Sequence, residues 1–170
     1  VMTKVALEKA KSDLATEQQS FQERQIKFQQ AVYAAQDKAM KKTELTTEMK
    51  QFVTERHLAS LTLVTPEGRP HVTPVGFTWD ENQKLVRVIT WAGSMKSKIL
   101  TRADTPLRAA VSQVDGGRWI TLEGKAIVTD DMERCLEGTR RYAQRYSEPK
   151  DRGDDRRVIE LSVERVMGRA

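Results

Sequence analysis

Cys135 is the only cysteine in 170 residues, so no intramolecular disulfide can form and a reducing compartment is expected. On the helical segment where it falls, the thiol reads as a small buried hydrophobe rather than a nucleophile. Long apolar runs are missing as well: none approaches the roughly 20 residues that cross a bilayer. The N-terminal stretch VMTKVALEKAKSDLATEQQ has no apolar core of signal-peptide length and no small-residue cleavage site. These absences lead to the expectation of a cytoplasmic protein with no membrane span. Histidine is scarce too. His57 and His71 are the only two, and neither has partners at metal-ligand spacing, so no metal is expected. No Ser/His/Asp or Cys/His arrangement supports a covalent nucleophile, and no GxGxxG or GxxxxGK[ST] supports Rossmann or P-loop nucleotide binding.

Apolar residues make up 38% of the chain and charged residues 31%, the balance of a soluble globular protein. The net charge of +5 raises the question of nucleic acid. The excess is dispersed, however: residues 1–43 carry eight basic and five acidic side chains, and the rest carry twenty-one against nineteen. No basic run is interleaved with aromatics, and no helix-turn-helix or zinc-finger spacing occurs, so nucleic acid is not an expected partner. A small anionic ligand accounts for the balance equally well.

The distribution of turn residues divides the chain. All nine glycines and all five prolines lie between Pro66 and Gly168, and the first fifty residues have none. That opening stretch is rich in Gln, Lys, Glu and Ala, so residues 1–43 are expected to form a helical extension running to about Lys42. Leu7, Leu14, Phe21, Phe28 and Ala35 recur every seven residues, while Lys4, Lys11, Gln18 and Gln25 at the companion positions are polar. A strong coiled coil needs both positions apolar, so the extension reads as a long exposed helix, a weak coil by itself.

Residues 44–170 read as a separate domain. Glu44–Arg56 is a short helix with Thr47 as its cap and Met49, Phe52 and Val53 on one side. Runs at His57–Thr65, His71–Trp79 and Lys84–Trp91 are strands, separated by the turn sequences PEGRP and DENQ. Ser94 caps a helix to Arg102, and Leu107–Val114 and Arg118–Thr129 form a hairpin across Asp115-Gly116-Gly117. In the segment Asp130–Tyr146, the residues Met132, Leu136, Thr139, Tyr142 and Tyr146 recur at helical spacing and predict an amphipathic helix. Arg157–Val166 is the last strand. About six strands joined mostly by hairpins, with two or three helices, predict a mainly β, α+β antiparallel barrel rather than a βαβ sheet.

Chemistry is sparse. His57 is expected only to satisfy a hydrogen bond, and His71 is the better candidate to face a cleft. Glu123-Gly124 suggests a bulge or a close backbone approach more than a catalytic base. The most informative stretch is Gly93-Ser94-Met95-Lys96-Ser97-Lys98, where a strand gives way to a helix carrying two hydroxyls and two ammonium groups. Helix N-termini present unpaired N–H groups to anions, so this segment is a candidate phosphate cradle.

Taken in order, TERHLASLTLVTPEGRPHVTPVGFTWD, GSMKSKI, SQVDGGRWITLEGKAIV, RYAQRY and VIELSVERVMG resemble the pyridoxamine 5′-phosphate oxidase-like split β-barrels. Within them the chain is similar to the branch that uses the deazaflavin coenzyme F420. The resemblance spans about Glu48 to Gly168 and leaves residues 1–43 outside. It implies a homodimer with two equivalent clefts at the subunit interface and an oxidoreductase activity. In that activity a hydride passes from reduced deazaflavin to a small conjugated acceptor, biliverdin or a similar compound.

Carried over by position, the resemblance has Ser94, Lys96, Ser97 and Lys98 hold the cofactor phosphate. His71, Val72, Thr73, Pro74 and Val75 run beside the ring, largely through backbone contacts, with Pro74 removing one donor. Arg118-Trp119 and Glu123-Gly124 match positions near the interface, and Trp119 is taken as a cofactor contact. Arg118, Lys125, Arg141 and Arg145 are the cations available to acceptor carboxylates. No catalytic acid or base is assigned. The alternatives are an FMN-dependent oxidoreductase of the same superfamily and a non-enzymatic module that binds a flavin, a deazaflavin or a haem product.

Overall fold

The computed structural model describes residues 3–41 and 43–170, and it divides into two compact units after Lys41. The first unit is α1 (Lys4–Lys41), a single helix of 38 residues. Nothing in its sequence breaks a helix, and the hydroxyls of Thr16 and Ser20 bond back to the Ser12 and Glu17 carbonyls. Leu7, Leu14, Phe21 and Phe28 are exposed along it. The expected helical end at Lys42 and the side chain of Ala39 lie outside the described residues.

The second unit is built on seven strands in the order β2-β1-β5-β6-β7-β4-β3, all paired antiparallel. Their ranges are β1 (Ala59–Val64), β2 (Pro70–Val75), β3 (Thr78–Asp80), β4 (Leu85–Trp91), β5 (Leu107–Asp115), β6 (Arg118–Thr129) and β7 (Arg156–Arg169). The two outermost strands, β2 and β3, are neighbours in the chain, with only Gly76 and Phe77 between them. One continuous segment therefore joins the sheet's opposite edges, and the sheet must curl into a barrel.

Period-2 alternation fills the interior. Leu61 and Leu63 of β1, Ile120 and Leu122 of β6, and Ile159 and Leu161 of β7 are almost fully buried, together with Phe77 and Phe52. At Gly124 the β6–β7 register shifts, and a Cβ there would lie 1.8 Å from the Ser162 carbonyl oxygen. Glycine inside that strand does mark a bulge and a close backbone approach.

Three helices attach to the barrel: α2 (Thr47–Phe52), α3 (Met95–Thr101) and α4 (Met132–Arg145). Several sequence expectations need correction. His71–Trp79 is two strands rather than one, so the sheet has seven. Thr46, not Thr47, caps α2 by accepting from the Met49 N–H. On α4 the expected apolar face holds only at its C-terminal end: Tyr142 and Tyr146 are half-buried, but Met132 and Leu136 are exposed, whereas Cys135 and Gly138 are buried. Gly138 sits against Val158 and Ile89, so the N-terminal half of the helix docks by its small residues, while Tyr142 and Tyr146 pack against Gly76 at its C-terminal end.

Candidate cofactor cleft

Where β2 ends, Pro74, Val75 and Gly76 form one wall of a cleft of about 360 Å³. Its floor comes from β4 (Val88 to Trp91), and Lys96 enters from the first turn of α3. Tyr142 of α4 and the segment from Ser147 to Arg156 complete it. Trp91 is the aromatic centre: the Lys96 Nζ lies 5.4 Å and the Arg152 Cζ 4.6 Å from its ring centroid.

Charge sets this cleft apart. Lys96, Lys150, Arg152 and Arg156 line it, against the single carboxylate of Glu148. Among the described residues, none of these four cations has a carboxylate within 4.0 Å. Burial pushes the Lys96 ammonium below its usual pKa, and burial followed by the nearby Arg152 charge does the same to Arg156. Lys150 is exposed, and Arg156 also bonds the Thr90 and Lys150 carbonyls. Half-buried cations such as Lys96 and Arg152, with no such carboxylate partner, are costly by themselves and favour an anion. A phosphate is the group that this donor set suits.

The sequence profile of the pyridoxamine 5′-phosphate oxidase family matches residues 45–169. The chain belongs to that family. It is 46% identical over 128 residues to the F420H(2)-dependent biliverdin reductase of Mycobacterium tuberculosis, spanning 75% of this chain and 90% of that protein. Among solved structures, a conserved hypothetical protein of Mycobacterium tuberculosis superposes with a TM-score of 0.61 at 21% identity, covering 74% of this chain and 84% of its own. A structure described as an F420 reductase gives a TM-score of 0.56 at 20% identity, covering 72% and 98%. The last two likenesses establish the fold alone.

Of the residues expected to hold a cofactor in this family's manner, Lys96, Pro74 and Val75 meet in the cleft. Ser94 and Ser97 do not contribute free hydroxyls to it. The Ser94 Oγ accepts from the Ser97 N–H (3.2 Å) and pairs with the Thr90 Oγ1 (2.8 Å), and Ser97 is 1% exposed. They are the cap and root of α3. Lys98 points to the other side of that helix, where it lines a cavity of about 570 Å³ with Arg102 and Arg157. Consecutive residues thus divide between two sites: Lys96 and Ser97, and likewise Arg156 and Arg157.

His71, Val72 and Thr73 lie farther back along β2, the edge strand, with Val72 exposed and the others half-buried. Arg69 both donates to and accepts from Thr65 at the β1–β2 turn. Ladder alternation therefore turns the backbone of Pro70, Val72 and Pro74 away from β1. The outer edge consequently offers carbonyls and only one N–H, that of Val72, and it resists pairing with another strand. Trp119 sits opposite Val114 and Arg169, near the β5–β6 turn, and does not line the cleft.

The four cations proposed for acceptor carboxylates are mostly committed elsewhere. Arg118 forks onto Glu55 (2.8 and 2.9 Å) and also holds Asp115. Arg141 pairs with Asp80 and Glu137. Arg145 bonds the Glu55 and Phe77 carbonyls and the Gln113 amide oxygen. Lys125 is exposed and 4.0 Å from Glu164. His57 bonds Glu55 at 3.1 Å, the satisfied histidine that was expected.

Sequence reading missed Trp91, Tyr142, Arg152 and Arg156. The run PKDRGDDRR carried the signal, but its acidic residues made it look like a solvated loop.

Proposed function

We propose that the protein is a coenzyme F420-dependent oxidoreductase that reduces biliverdin or a similarly conjugated acceptor. The observation that carries this reading is the 46% identity across 90% of the F420H(2)-dependent biliverdin reductase. The cation-rich cleft supports it independently. Lys96, Arg152 and Arg156 would hold the cofactor phosphate, and the Trp91 ring would shield their stems from water. The Pro74–Gly76 wall and the single outward N–H at Val72 would orient the ring system along β2. When bound, the reduced deazaflavin supplies a hydride. The chain's own task is to bind, align and keep water out, and among the described residues no acid or base other than its cations, Glu148 and Tyr142 lines the cleft.

The cofactor-binding part is residues 44–170, with 1–43 as an extension outside it. The working unit in this reading is a cytoplasmic homodimer in which a second subunit closes each cleft. FMN is the second cofactor reading, because a phosphate-directed cleft serves either ring. A titration of the purified chain with F420 and with FMN, followed by an acceptor screen starting from biliverdin, tests the proposal. Tight F420 binding with biliverdin turnover upholds it. FMN binding alone, or binding of either cofactor with no turnover of any acceptor, overturns it.

A further inference from the structure

The last turn of α4 addresses a gap in the barrel's hydrogen bonding. The β1–β2 ladder stops at Val75 and the β3–β4 ladder starts at Thr78, so Gly76 and Phe77 have no strand partner as the chain crosses from one sheet edge to the other. Buried backbone groups do not go unpaired. Those of Phe77 are taken up by side chains of α4. The Phe77 N–H donates to the Tyr146 hydroxyl (3.1 Å), which itself donates to the His57 carbonyl (2.8 Å). The Phe77 carbonyl accepts from Arg145 (2.5 Å). Arg145 also holds the Glu55 carbonyl and the Gln113 side chain, and Gln113, fully buried, donates to the Phe52 carbonyl at 2.8 Å.

The same crossing is gripped by shape. The Tyr142 and Tyr146 rings stack at 4.8 Å and close over Gly76, where a Cβ would lie 2.7 Å from Tyr142 and 3.1 Å from Tyr146. Gly76 and Tyr142 also line the cation-rich cleft. The hydrogen bonds and the ring packing therefore act on the peptide segment that forms the cleft's wall.

We propose that Tyr146 and Arg145 are positioning residues for the cofactor: they fix the Gly76–Phe77 crossing and thereby set the distance between the Pro74–Gly76 wall and Lys96. The inference rests on the cofactor reading above but not on which acceptor is reduced. Removing the Tyr146 hydroxyl frees the Phe77 N–H and the His57 carbonyl while leaving every cleft-lining side chain in place.

The test is Tyr146→Phe in the full chain, compared with the parent and with Lys96→Ala. Three quantities are measured: the cofactor dissociation constant by absorbance titration, amide exchange at Phe77, and kcat at saturating cofactor. Tyr146→Phe is expected to release the Phe77 amide to exchange and to raise the dissociation constant roughly tenfold, the scale of one unmade buried hydrogen bond. It is also expected to lower kcat severalfold, because a shifted wall misaligns the bound ring even at saturation. Lys96→Ala, which removes a direct cofactor contact, raises the dissociation constant but leaves the Phe77 amide as protected as in the parent, so amide exchange separates positioning from direct contact. A merely structural role lowers the thermal midpoint but leaves kcat and affinity of the folded variant as in the parent, and that result overturns the inference. If Tyr146→Phe does not fold, Gly76→Ala takes its place, since its methyl presses on both rings with the hydroxyls intact. The same losses uphold the inference, and parent-like binding and turnover overturn it. A parent chain that binds no cofactor at all instead refutes the cofactor reading.

Discussion

Two lysines two residues apart on α3 have different surroundings, and their alanine variants should behave differently. Lys96 enters the cleft beside Trp91, half-buried and without a carboxylate partner. A hydrogen bond to a charged group contributes about 1.5–3 kcal/mol, and the partial exposure of the cleft favours the lower part of that range. Lys96→Ala should therefore weaken F420 or FMN binding roughly tenfold in a fluorescence titration, and Arg152→Ala similarly. Lys98→Ala should leave the dissociation constant within about twofold, because its side chain lines the cavity on the far side of α3. Equal losses at both lysines would mean that the cofactor spans the helix, and the cleft assignment would fail.

A second residue-scale prediction concerns stability. The Thr78 Oγ1 is buried with no hydrogen-bond partner among the described residues. An unpaired buried hydroxyl costs on the order of 1–3 kcal/mol, and valine fills the same volume without it. Thr78→Val should raise the thermal midpoint by a few degrees. A lowered midpoint would show that the hydroxyl has a partner in solution, such as a bound water.

At the scale of elements, legibility in the sequence followed the range of the determining interaction. Most local signals were legible: Ser94 caps α3, and Asp115-Gly116-Gly117 turns the β5–β6 hairpin, although the α2 cap fell one residue earlier, at Thr46 rather than Thr47. Gly124 was correctly read as a bulge for the same reason, since mid-strand glycine has few other uses. The larger failures were set by distant partners. The break at Gly76–Phe77 is invisible in a run as strand-like as HVTPVGFTW, because Tyr146 and Arg145 impose it from 68 or more residues away. The apolar pattern on α4 held at Tyr142 and Tyr146 but misled at its N-terminal half, which docks through Gly138 and Cys135 and turns Met132 and Leu136 outward. Of the site residues read from the sequence, only Pro74, Val75 and Lys96 line the cleft, and the arginines after α4 were not read at all.

Helix α4 also carries a pH dependence. Hydrogen bonds from Arg140 and then Arg141 hold the Glu137 carboxyl down to about 2, and Asp80, bonded to Arg87, is lowered too. A depressed folded pKa stabilises above the unfolded value and is lost as pH falls through the folded one. The thermal midpoint should thus decline as pH drops from about 4.5 toward 2, the interval between the unfolded and folded Glu137 values. The Glu137→Gln variant should decline less over that interval. A variant curve parallel to the parent's would remove Glu137 from the account.

On the scale of the whole molecule, the question is whether cofactor capture depends on net charge or on local placement. Residues 1–43 contribute eight basic and five acidic groups, so they supply three of the chain's five net positive charges. Their removal would more than halve the overall positive charge. Exposed charges act over about a Debye length, roughly 8–10 Å at physiological salt, whereas half-buried cations in a cleft are screened far less. Lys96, Arg152 and Arg156 belong to the unit that the family profile spans, residues 45–169, and that unit has its own core. A chain lacking residues 1–43 should therefore fold and bind F420 or FMN within a few-fold of the parent. Its affinity should also fall with salt at the same slope, because the same three cleft cations remain. Titrations at several salt concentrations on both chains make the comparison. A truncated chain with weaker binding at low salt but equal binding at high salt would show that the long helix gathers the anionic cofactor at long range. Loss of folding on truncation would make the helix part of the core.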